Sequence, residues 1–548
     1  MGSTGRARLR LGRSEVEATD GEPLLAAVGR RGWPSLVRSV RYHRPRGPFC
    51  GVGDCTGCLV RVNGVPNQRS CLRPARDGDV VELENSWPSP RLDVYGVADL
   101  LLPHGLDTVH GLRRPAVLRS AYQRVVRRLA GFGAAPDPGS ARPPAPARWL
   151  RTDALVVGGG RSGRAIAGEL ASAGRRPLLV ERRADGAPLG GVELLAGVTA
   201  TMLAAGGAEG DAGFTLLGFT ADGAGVAVRS PTVVVATGAY DAGLAFEGSD
   251  RPGIVTADLA LSGLGLALGT TVVFGGGERA RAVLERAPGE VEAVVAPGEI
   301  RPELARSAAE RGIDLFPRTR LVRAIGRGHL RGVELARRDG AGRFRLATRS
   351  LVLAHRRLPN AQLAYQLGAE RAWDAGAGAF VPVLDAEGRS SVPGLFIVGS
   401  AADPGATQPA APATVARAVV SGPSPRGPPV PRAPASRPGE LASYYRETLA
   451  EARHGKTVVC PCEDVLLTEL EEAVRRGYRG LEVVKRYTGV GTGLCQGRYC
   501  LPEALVVLSL LERRDASEVG TITQRPPLVP TPLGTLAAFA PELDAGSP

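Results

Sequence analysis

Eight cysteines in 548 residues fall into two groups of four, with none left over. The first group, Cys50, Cys55, Cys58 and Cys71, reads C-x4-C-x2-C-x12-C and begins in "CGVGDCTGC". The second, Cys460, Cys462, Cys495 and Cys500, reads C-x-C-x32-C-x4-C and ends in "CQGRYC". Thiolates are soft ligands that suit iron–sulfur clusters and zinc. Disulfides belong to oxidising compartments, and the opening "MGSTGRARLRLGRSEVEATDG" lacks the apolar segment of a secretory signal. Structural zinc favours paired C-x2-C units, and the first group holds one such pair.

The first three cysteines match the loop of plant-type ferredoxins, where thiolates hold a [2Fe–2S] cluster. Gly51, Gly53 and Gly57 allow the backbone to wrap such a cluster and aim amides at its sulfides. Leu59 to Val62 reads as a strand and Asn63-Gly64 as a hairpin turn, so the return strand brings Cys71 back to the loop. Spacing alone leaves a zinc knuckle and a [2Fe–2S] site both open for the second group. Between its pairs, Thr468 and Glu471 are expected to form a capping box. Leu470, Ala473 and Val474 make an apolar face, and Gly477 ends the helix. Pro502 suits the first turn of the helix "PEALVVLSLLERR", whose N-terminus favours an anionic group near Cys500.

A different chemistry is written in "ALVVGGGRSGRAIAGELASAGRRPLLVERR", which predicts strand, glycine turn, helix and strand. Gly158, Gly160 and Gly163 supply G-x-G-x-x-G, with Gly159 and Ser162 in the same turn. Glu181 ends the second strand, where an acid meets a ribose hydroxyl, and Arg182 follows it. These residues are the candidate FAD site. Further on, "PTVVVATGA", with Thr237 and Gly238, resembles a strand and turn of two-dinucleotide-binding flavoproteins of the glutathione-reductase-like fold. "GLFIVGSAAD", with Gly399 and Asp403, resembles their late strand, whose acid approaches the ribityl-phosphate side of the flavin. A second triplet in "TTVVFGGGERA" has Gly275 and Gly277 but alanine third, and "VEAVVAP" ends without an acid, which argues against NAD there. About forty residues separate Gly191 from Pro231, few for a closed substrate pocket over the flavin. No histidine or paired acid stands out as a general base, so catalytic residues are not assigned.

Net charge is +13 from 68 basic and 55 acidic residues. The excess is dispersed arginine without a dense block or aromatic stripe, which argues against nucleic acid. In the uncharged run that starts at Leu259, the stretch to Phe274 carries glycine, serine and threonine and falls short of a membrane span, and the chain reads as cytoplasmic. Pro-rich stretches at Gly133 to Arg148 and Ser421 to Glu440 read as linkers. The expected α/β organisation starts with a β-grasp ferredoxin-like domain over 1–95 and a connecting segment with linker over 96–150. The glutathione-reductase-like core follows as 151–258 and 346–420, with the second nucleotide-binding-like domain inserted over 259–345. A linker over 421–453, a small α-helical [2Fe–2S] domain over 454–515 and a tail over 516–548 complete it.

The segment with "CED", "VKR" and "CQGRYC" resembles the bacterioferritin-associated-ferredoxin-like [2Fe–2S] domain. With "RGPFCGVGDCTGCLVRVNG", "SDRPGIVTADLAL" and "RPPLVPTPLGTLA", nearly the whole chain resembles the large (α) subunit of heteromeric sarcosine oxidase and its relatives. Those relatives include opine oxidases, dye-linked proline and hydroxyproline dehydrogenases and hydrogen cyanide synthase. The resemblance implies FAD, two [2Fe–2S] clusters and oxidation of a secondary amine or imino acid. It also implies a smaller FAD-dependent amine-oxidising (β) subunit, FMN at the subunit interface as a further candidate, and a downstream electron acceptor. Four N-terminal cysteines point to the dehydrogenase and opine branch. The alternative is an NAD(P)H-dependent flavin and iron–sulfur reductase serving a protein partner.

Overall fold

The Asn63-Gly64 turn forms as expected, with both residues in the left-handed region at φ 51° and 82°. The computed structural model describes residues 5–99 and 145–544, apart from 13, 31–34, 84, 87–92, 98, 184–185, 207–212, 288, 341, 406–409, 431–438 and 452–454. Most of the expected connecting segment over 96–150, and part of the second Pro-rich stretch, lie outside the described residues. The strands Leu59–Val62 and Val65–Arg69 pair antiparallel across the turn. They close one edge of a five-stranded sheet in which Arg6–Leu11 runs parallel to Val80–Leu83. The short helix Leu24–Gly29 buries all six of its residues. This is the β-grasp arrangement.

The chain divides into two compact units, 1–141 with 241–356 and 439–521, and 142–240 with 357–438 and 522–548. The second unit is built on a parallel sheet of five strands in the order Glu193–Ala196, Pro177–Glu181, Ala154–Val157, Val233–Val235 and Leu395–Ile397. The helix Arg161–Ser172 buries Gly163, Ile166, Ala167 and Leu170. That i, i+3, i+4, i+7 stripe is what one apolar helix face requires. A four-stranded sheet, Val198–Ala205, Phe214–Thr220, Gly225–Ser230 and Arg148–Arg151, receives the tail. There Phe539 is buried against Leu217 and Ala227 and meets Trp149 edge-on.

The first unit holds the β-grasp sheet, a second nucleotide-binding-like domain and the cysteine-rich helical segment. Its second parallel sheet runs Ile254–Thr256, Ser350–Leu353, Thr270–Phe274, Glu290–Val295 and Asp314–Phe316. Helices Glu278–Arg286 and Pro302–Ala309 belong to it. The helical segment has Leu467–Arg475, Leu481–Thr488 and Leu501–Glu512, the last with proline in its first turn as expected. The capping residues differ from expectation. The helix starts at Leu467, and Glu469 accepts a hydrogen bond from the Leu466 amide at 2.8 Å. Thr468 lies inside the first turn because the strand Val465–Leu466 runs directly into the helix, leaving no residue to serve as a hydroxyl cap. The chain thus has the glutathione-reductase-like two-dinucleotide-binding core, with a β-grasp domain before it and a small helical cysteine domain after it. Among the described residues no helix is long and apolar enough to cross a membrane.

Candidate functional site

All eight cysteines are free and buried. In the first group Gly51 and Gly53 adopt φ 67° and 78°, which lets the loop fold over its own sulfurs. The Asp54 amide donates to Cys50 Sγ at 3.4 Å, and Cys58 and Cys71 sulfurs lie 3.5 Å apart. Burial pushes the Cys50 thiol up. In the second group Cys495 is held below the ordinary thiol range by the Cys462 hydrogen bond, aided by the Tyr499 and Gly497 amides, against burial. Amides aimed at buried sulfurs are what an anionic cluster needs. Among the described residues no three His, Cys, Asp or Glu side chains converge on a single metal ion. Four thiols around a two-iron cluster are bound two to each iron and have no common centre. Four buried thiols in each group, with amides directed at Cys50 and Cys495, are donor sets compatible with an iron–sulfur group.

The two groups, far apart in sequence, are interlocked. Phe49 meets Tyr499 edge-on at 5.2 Å between ring centres. Asp54, inside the first cysteine loop, pairs with Arg498, inside the second, at 3.2 Å. The Thr56 hydroxyl donates to Cys462 Sγ at 3.4 Å. A pocket opens beside this junction, lined by Phe49, Cys55, Thr56, Cys462 and Tyr499. Sequence reasoning does not single out these non-ligand residues. The available signal is an acid in one cysteine loop and an arginine in the other.

A buried ion network ties the same elements together. Arg46 pairs with both Asp250 and Asp464, so the β-grasp domain, the 241–356 segment of the same unit and the cysteine-rich helical segment share one guanidinium. Asp464 also accepts the Arg41 and Tyr42 amides at 2.8 and 3.2 Å, and Arg41 pairs with Glu469 at 2.8 Å. Burial alone would push the Asp250 carboxyl up. Arg44 and Arg46 outweigh that effect and hold it below the usual range. Arg46→Ala would leave two buried carboxylates without their shared cation. It is expected to cost about 3–5 kcal/mol, read as a lower urea midpoint of unfolding, with Arg46→Lys intermediate.

In the other unit the candidate dinucleotide residues come together. Gly158 has φ 114° and turns the chain out of its strand. A Cβ on Gly163 would overlap the Gly158 carbonyl, whereas one on Gly160 would have no heavy atom within 4 Å. Close packing at the third glycine and open space at the second are the demands of a pyrophosphate loop. The Gly159 amide donates to Glu181 Oε2 at 2.6 Å, and the Arg183 amide to Oε1 at 2.8 Å. Arg182 is half-buried beside them. Ser162 lies against Gly399, so close that a Cβ on Gly399 would strike its side chain. Thr237 donates to the Asn360 carbonyl, and the Asn360 amide donates to the Gly238 carbonyl at 3.0 Å. The Asp403 carboxylate accepts from the Gly405 amide at 2.8 Å. The cradle fits an adenine dinucleotide.

The second glycine triplet is less suited to phosphate. Glu278 stands in the first turn of its helix, and Arg279 is spent on Asp241 and Asp258. His355 follows the strand Ser350–Leu353. Its imidazole is pushed down to about 3 by burial, with Arg356 adding to the effect, so it stays neutral.

Residues 9–86 match the family described as "2Fe-2S iron-sulfur cluster binding domain", and residues 454–540 match the "Sarcosine oxidase A3 domain". The chain is 28% identical to the sarcosine oxidase alpha subunit of Rhizobium meliloti over 95% of its own length and 56% of that protein. It is 27% identical to the opine oxidase A subunit of Agrobacterium tumefaciens over 59% of its length and 72% of that protein. It spans only about half the length of the sarcosine oxidase alpha subunits it matches. Its fold resembles that of L-proline dehydrogenase from P. horikoshii, with a TM-score of 0.63, 20% identity and 98% of both chains covered.

Proposed function

The chain belongs to the family of large (α) subunits of sarcosine and opine oxidases, and from that premise we propose that it is the electron-transferring subunit of a heteromeric amine dehydrogenase. Its substrate class is a secondary amine or imino acid of the sarcosine, proline, hydroxyproline or opine type. Cys50, Cys55, Cys58 and Cys71 hold one [2Fe–2S] cluster, and Cys460, Cys462, Cys495 and Cys500 hold another. Gly158 to Gly163 and Glu181 hold FAD, with Ser162, Arg182, Thr237, Gly238, Gly399 and Asp403 around it. When bound, the flavin would supply two-electron acceptance with one-electron release, and the clusters single-electron carriage.

The observation that carries this reading is the interlock of the two cysteine loops through Asp54–Arg498, Phe49–Tyr499 and Thr56–Cys462. Two sets of four buried thiols held face to face suit the relay of electrons and serve no purpose in binding an amine. Buried loops also exclude water from the sulfurs, and second-sphere hydrogen bonds of this kind tune such groups. A smaller flavoprotein subunit takes the hydride from the amine, with FMN at the interface a further candidate, and a downstream acceptor receives the electrons.

Expressed alone, the chain is expected to show no amine-dependent dye reduction with sarcosine, proline, hydroxyproline or an opine. Co-expression with a smaller flavoprotein subunit of this family is expected to restore turnover with one of these. Amine turnover by the chain alone would falsify its assignment as one part of a larger enzyme, and rapid reduction of its iron by NADH would favour a reductase.

A further inference from the structure

We propose that the Thr56 hydroxyl links the two cysteine sites electronically, raising the reduction potential of the Cys460–Cys500 site and shortening the electron path between the sites. The inference rests on the two-cluster reading above. Thr56 follows the ligand Cys55 directly, so one peptide unit separates a first-group sulfur from the hydroxyl. That hydroxyl donates to the second-group sulfur of Cys462 at 3.4 Å. Thr56 is buried, and the neighbouring Asp54–Arg498 pair and Phe49–Tyr499 contact hold the two loops in register around it. One peptide unit and one hydrogen bond thus carry an unbroken route from a ligand of one group to a ligand of the other.

The sign of the effect follows from charge. Adding one electron makes a thiolate-bound cluster more anionic, and a hydrogen-bond donor on a ligand sulfur stabilises the more anionic state. The donor therefore favours the reduced form of the second site. With clusters bound, the one electron given up by a reduced first site would be the one gained by the second, so the exchange would balance. Thr56 keeps its proton throughout. Valine keeps the branched shape but removes the donor, and serine keeps the donor.

The test is a redox titration of the full chain with dithionite as reductant, followed by electron paramagnetic resonance. Iron and sulfide content is measured first on every variant. In the parent, both signals appear and broaden each other when both sites are reduced. In Thr56→Val, the reduced-to-oxidised ratio of the second site at the parent midpoint is expected to fall by up to about tenfold, equivalent to 59 mV for one electron. Its mutual broadening is expected to weaken, and Thr56→Ser is expected to restore the parent midpoint. Both clusters present with a Thr56→Val midpoint equal to the parent's would overturn this inference alone. Absence of either cluster from the parent would overturn the reading beneath it.

Discussion

Gly160→Val is expected to leave the protein folded and its dinucleotide site empty. Gly160 has φ −70° and ψ −177°, extended backbone that valine adopts without strain. An added Cβ at this position meets no heavy atom of another part of the chain within 4 Å, so that side faces open space. That open space is where a pyrophosphate must approach the backbone at the helix N-terminus, and two methyl groups would fill it. Flavin content is expected to fall at least tenfold, while the thermal midpoint stays close to that of parent protein stripped of its flavin. The neighbouring Gly163→Ala serves as contrast. Its Cβ would overlap the Gly158 carbonyl and press on Ala236 Cβ at 3.2 Å. It is expected to lose flavin together with about 1–3 kcal/mol of stability, the usual cost of overpacking. Full flavin occupancy in a folded Gly160→Val protein would show that the dinucleotide binds elsewhere.

Replacing one cysteine in each group is expected to remove one cluster at a time. Protein purified without oxygen should hold about four iron and four acid-labile sulfides if each four-thiol set binds one [2Fe–2S] group. In Cys58→Ser the loss should fall on the first group, whose Cys58 and Cys71 sulfurs stand 3.5 Å apart. In Cys495→Ser it should fall on the second, where Cys495 gathers the Tyr499 and Gly497 amides. A serine hydroxyl is a harder and far weaker acid than a thiol, so it replaces a thiolate ligand poorly. Each variant is expected to keep about half the iron and one of the two reducible signals. Loss of both signals from one substitution would mean that the interlocked loops assemble only together. Stoichiometric zinc in the colourless parent protein would replace the iron–sulfur reading with a structural metal.

Local chemistry was legible wherever neighbours in sequence are also neighbours in space. The Asn63-Gly64 hairpin, the strand and helix around Gly158 to Gly163, and the proline-led helix after Cys500 all appear where spacing placed them. Each depends on backbone angles or a repeat of a few residues, which a short stretch of chain carries within itself. Even there, one side-chain choice escaped: the reach-back at the helix start belongs to Glu469, because the preceding strand sets where the helix begins.

The two cysteine groups stood out as candidate ligand sets, and the glycine loop as a candidate nucleotide cradle, from residue type and spacing. Their mutual placement was not. Thr56 meets Cys462 across 406 residues, and Arg46 meets Asp464 across 418. No periodicity or turn rule spans such distances. What selects these partners is burial. A guanidinium or carboxylate taken out of water must find its opposite charge, and Arg46 finds both Asp250 and Asp464 only when three distant chain segments of one unit fold together. The sequence determined which candidate ligands and turns each segment offers, while the tertiary structure decided that the two sulfur sites touch, because charge pairing and exclusion of water act between surfaces and not along the chain.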